Sequence, residues 1–117
     1  ELARANTRVK MLIMADKLSN LRSIAADYAT IGDELWERFN APKEKQAWYY
    51  SEILDGIYDL QFLPECEKAY WEFTGVFKDV FVKYYISLLN GIQNSLLYCL
   101  NIRSYLLALY NYFCFFK

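Results

Sequence analysis

The sequence contains no histidine, and only four glycines, two prolines and three cysteines in 117 residues. Each shortage excludes something. Without histidine this chain cannot by itself run Ser-His-Asp or Cys-His catalysis, and it offers no imidazole to a metal. Cys66, Cys99 and Cys114 are widely spaced and odd in number. They make neither a CxxC metal knuckle nor a disulfide framework, which points to a reducing, cytoplasmic home. They read as buried small hydrophobes. With breakers so few and strand-length alternating runs hard to find, the expected fold class is all-α.

A net charge of -1 gives no overall field to recruit nucleic acid or anionic lipid. No nucleic-acid partner is therefore expected. The 56 % hydrophobic and 19 % aromatic content argues against disorder, and the length suits one domain around one core. The chain opens mid-helix with "ELARANTRVKMLIM", which carries no signal-peptide pattern, and further sequence is expected upstream.

What is present is helical periodicity. A first helix is expected from about Thr7 to about Tyr28, with Thr7 or Asn6 as N-cap. Met11, Met14, Leu18, Leu21 and Ala25 form one apolar stripe, and Val9, Leu12 and Ile13 a second patch on the opposite side. Gly32 breaks the chain. A short helix capped by Asp33 should follow, with Leu35, Trp36 and Phe39 inside. Pro42 opens a helix expected to run to about Phe62, with Tyr50, Ile53, Ile57 and Leu60 at core spacing. Pro64 opens the next, with Glu65 and Glu67 near its positive end. Its inner face is Ala69 or Tyr70, Phe73, Val76 or Phe77, and Val80.

Composition changes after Lys83. All 14 acidic residues precede it, and only Arg103 and Lys117 are charged beyond it. Two regions are expected: residues 1–83, a helical domain, and residues 84–117, an apolar helical tail. The tail's uncharged stretch 84–102 contains Asn90, Gln93, Asn94 and Asn101. A window moved further along takes in Arg103, which costs roughly 2.5–3.5 kcal/mol at a bilayer centre. A packed or surface-associated helix is favoured over a membrane span, with a non-native tail as a further alternative. Self-association or membrane contact would run through these residues.

The chemistry starts at "MADKLSNLRSI", residues 14–24. On a helix Asp16, Ser19, Asn20 and Ser23 make one polar stripe, beside the patch of Val9, Leu12 and Ile13. Asp16 is therefore expected to be partly desolvated and turned inward, and Lys17, about 100° around the helix, is not its expected partner. A structural aspartate bonded to a neighbouring helix fits the same spacing.

The segment "ADKLSNLRSI" resembles the ADRLHNMRTL-type segment of HD-domain metal-dependent phosphohydrolases. It is most similar to the guanosine polyphosphate (alarmone) 3'-pyrophosphohydrolases of the Rel/SpoT type. Ala15, Asp16, Lys17, Leu18, Asn20, Leu21, Arg22 and the hydroxyl of Ser23 carry the likeness. The continuation "IGDELWERFNAPKEKQAWYYSEIL" looks like that of bacterial HD hydrolases, so the resemblance covers roughly residues 8–83. It implies the C-terminal helices of an HD-like fold. In that family two histidines and two aspartates hold a divalent metal, commonly manganese, which activates water for attack on the 3'-pyrophosphate. By this resemblance Asp16 is the fourth metal ligand, and Asn20 and Ser23 line the pocket for guanosine polyphosphate or a similar nucleotide.

The chain also departs from the family. Ile13 stands where a lysine is common, and Ser19 where a histidine is frequent. The His and His-Asp ligands are absent, as is the acidic pair that usually follows them. The isolated chain is therefore expected to be inactive. The alternative is a non-catalytic helical interaction or membrane-associated module. Arg38, Lys43 and Lys45 read as a solvated helix start. Trp36, Trp48, Tyr49 and Tyr50 read as core at helical spacing, with base stacking as the other use of such residues.

Overall fold

The computed structural model describes residues 1–82, and its described residues hold helices and turns with no strand. The all-α class follows. Residues Glu1–Phe81 form one unit. The helices expected in 84–117 lie outside the described residues, as do Cys99 and Cys114.

Helix α1 spans Thr7–Ile31. Asn6 is its N-cap, accepting a hydrogen bond from the Val9 N–H at 3.0 Å, and so satisfies a first-turn donor that has no partner within the helix. The helix ends at Gly32, whose φ of 63° lies where a side chain is strained. Nothing between Tyr28 and Gly32 breaks a helix, so α1 runs three residues past the expected end. Its inner face is Lys10, Met14, Leu18, Leu21 and Ile24. Met11 and Ala25, expected inside, sit at the edge of this stripe and are only half-buried.

Gly32–Arg38 is a 3-10 turn rather than the expected capped helix. Its N-cap position is Ile31, and Asp33 makes no cap bond. Leu35 is buried as expected, while Trp36 and Phe39 are half-buried. Helix α2 spans Lys43–Gly56 with Pro42 just before it, φ −66°. The expected continuous helix to Phe62 breaks at Ile57 and resumes as a 3-10 turn, Tyr58–Phe62. Gly56 stands at the break. A Cβ there would lie 2.7–2.8 Å from the Leu2 side chain, so the close packing of the N-terminal 3-10 turn Leu2–Arg4 requires glycine. Ala47, Tyr50 and Leu54 form the inner face of α2; Leu54 takes the place expected for Ile53.

Helix α3 spans Pro64–Phe77 with proline in its first turn and Glu65 and Glu67 beside its N-terminus, as the sequence indicates. It runs on as a π-helical turn, Lys78–Val82. Tyr70, Phe73, Phe77, Val80 and Phe81 are buried. Helix α1 packs on α3, and the turn Tyr58–Phe62 packs on both. Leu21, Ile57, Leu60 and Phe73 are fully buried at the centre. Burying each such side chain contributes about 1.5–3 kcal/mol. Phe81 lies among Trp36, Tyr50 and Phe77, with ring centroids 5.2–6.0 Å apart. Cys66 is buried as expected, and burial pushes its thiol pKa up.

Two ion pairs fasten the helices. The Lys10 ammonium is 2.9 Å from Asp59, joining α1 to the turn after α2. Arg22 donates to both carboxylate oxygens of Glu72 at 2.6 and 2.8 Å, joining α1 to α3. Among the described residues no helix is long and apolar enough to cross a membrane.

Candidate functional site

The burial of α1 decides what its opposite side can do. With Met14, Leu18, Leu21 and Ile24 against the core, the helical period places Asp16, Ser19 and Ser23 on the outer face. All three are exposed, as is Asn20 at the edge of that face. The stripe read from the sequence thus exists as a geometric feature.

Its setting differs from expectation. Asp16 is not turned inward: its side chain is 64 % exposed. The apolar neighbours Val9 and Leu12 are likewise open to solvent, Leu12 at 71 %, so no wall desolvates the carboxylate among the described residues. The second correction concerns its partner. Lys17 reaches around the helix to within 3.2 Å of an Asp16 oxygen, because a four-carbon stem spans the 100° that separates neighbouring positions.

Lys17 in turn meets α2. Its ammonium lies 5.7 Å from the centroid of the Tyr49 ring. The nearby Tyr49, and then Asp16, hold its pKa above the usual lysine value. Asp16, Lys17 and Tyr49 therefore form a charged and aromatic edge between α1 and α2. Ser23 is occupied locally, donating to the Ser19 carbonyl at 3.3 Å. Such an i to i−4 bond commits the hydroxyl proton to its own helix and leaves only its oxygen able to accept. Arg22 is committed to Glu72, which raises the guanidinium pKa and lowers that of the carboxyl. That is a structural role joining α1 and α3.

The fit to a metal ion can be judged from the donors. Among the described residues no group of three or more histidine, cysteine, aspartate or glutamate side chains comes together to hold one. Asp16 is a single exposed carboxylate, and the residues present do not fit a metal by themselves.

A second cluster was not legible in the sequence. Lys43, expected at a solvated helix start, is buried. Its ammonium stands 4.7 Å from the Tyr28 ring centroid and 5.2 Å from that of Trp36, donates to the Tyr28 hydroxyl at 3.3 Å, and faces Asp33 at 3.8 Å. Burial lowers its pKa, partly offset by Asp33 and Glu44. The indole N–H of Trp36 is buried there with no hydrogen-bond partner among the described residues. Cation–π contact with the two rings holds the charge in this setting. Only its position directly after Pro42, with aromatic residues seven and fifteen positions earlier, hinted at the cage. The expected aromatic core also needs revision. Tyr50 is buried, but Trp48 and Tyr49 are 55 % and 41 % exposed, because the inner face of α2 is set by Ala47, Tyr50 and Leu54.

Comparison with family models, curated proteins and solved structures gives no match to this chain. What stands on structural grounds is an all-α domain with an open polar face on the longest of its described helices.

Proposed function

We propose that this chain is the C-terminal part of an HD-type metal-dependent phosphohydrolase of cytoplasmic, alarmone-hydrolase kind. In the complete domain Asp16 supplies one ligand to a divalent ion, most naturally Mn2+, and Asn20 and Ser23 line the pocket of guanosine polyphosphate or a similar nucleotide. The observation that carries the reading is the joint exposure of Asp16, Asn20 and Ser23 within the segment "ADKLSNLRSI". A ligand carboxylate must be reachable from outside its own helix, and this one is. Covering the same face with further helices would also bury Val9 and Leu12, whose exposure is otherwise unfavourable.

The remaining ligands are not in these 117 residues, since there is no histidine. No catalytic step is therefore assigned to this chain alone, and as an isolated chain it is expected to be inactive. The test is an assay of the protein encoded by the whole reading frame, with guanosine tetraphosphate and manganese. Release of pyrophosphate is the expected result. Metal binding without hydrolysis of any guanosine polyphosphate would overturn the substrate assignment.

A second reading is a non-catalytic helical interaction module. The exposure of Leu12, Phe62 and Trp48 favours it, since each offers apolar area to a partner. It requires association that survives both a chelator and Asp16→Ala. Loss of association on adding chelator would exclude it.

A further inference from the structure

We draw no further inference here: the strongest candidate, the exposed apolar patch of Val9 and Leu12 with the shallow depression beside Arg8 and Met11 on the first turns of α1, carries nothing because no feature of the structure shows what covers it.

Discussion

Asp16 and Lys17, adjacent in the chain, pair with each other across 3.2 Å on the outer side of α1, and Lys17 continues the contact to Tyr49 of α2. The carboxylate is thus held by an exposed ion pair and not by the core. An exposed pair contributes at most about 1 kcal/mol. Asp16→Asn should therefore shift the thermal midpoint by no more than a few degrees, read by circular dichroism. A loss comparable to that of a core deletion would make Asp16 a structural acid and weaken its assignment as a ligand.

The Lys10–Asp59 pair is asymmetric, with the lysine side chain 6 % exposed and the aspartate 58 %. Asp59→Asn leaves a buried ammonium with a weaker partner and should cost about 1–3 kcal/mol. Lys10→Met leaves only a solvated carboxylate and should cost less, because an apolar chain of similar volume fills the same place. Urea unfolding of both variants checks the order. The reverse order would mean that the buried Lys10 ammonium is satisfied without the Asp59 charge.

Core and outer positions of α1 should separate cleanly. Leu21 is fully buried, so Leu21→Ala should cost about 2–5 kcal/mol. Leu12 is 71 % exposed, and Leu12→Ala should stay within about 0.5 kcal/mol. Equal effects in denaturant unfolding would contradict the orientation of the helix.

The Arg22–Glu72 pair makes a prediction in pH. Hydrogen bonding from Arg22 lowers the Glu72 pKa in the folded state. A depressed carboxyl pKa stabilises the fold above the ordinary glutamate range, and that contribution is lost as pH falls through the lower folded value. Wild type should therefore exceed Glu72→Gln in urea midpoint near neutral pH, and the gap should close in acid. A gap that does not change with pH would show that the pair is not its source.

These tests also mark what the sequence could tell. Met14, Leu18 and Leu21 were legible because a helical stripe records its own burial. Tyr70, Phe73 and Phe77 were legible for the same reason. Lys10 and Lys43 were not, since the partners each meets lie on other elements: Asp59 for one, the Tyr28 and Trp36 rings for the other. The close approach of Leu2 to Gly56 joins positions more than fifty apart, and no local pattern records it. For Asp16 the polar stripe was visible, but its exposure was not. Apolar neighbours such as Leu12 indicate that a face wants covering, while only the fold shows whether α2 or α3 reaches it. The 100° between Asp16 and Lys17 on the helix argues against their pairing, and the long, flexible lysine side chain overrides that angle.

The most direct test of the central claim is to read the gene upstream of Glu1, express the complete protein, and measure manganese-dependent pyrophosphate release before and after Asp16→Asn. The proposal expects an upstream histidine and a His-Asp pair on helices, with activity in the wild type that falls at least about a hundredfold in the variant, as loss of a metal ligand requires. Activity that survives the substitution, or an upstream frame without those ligands, would contradict it.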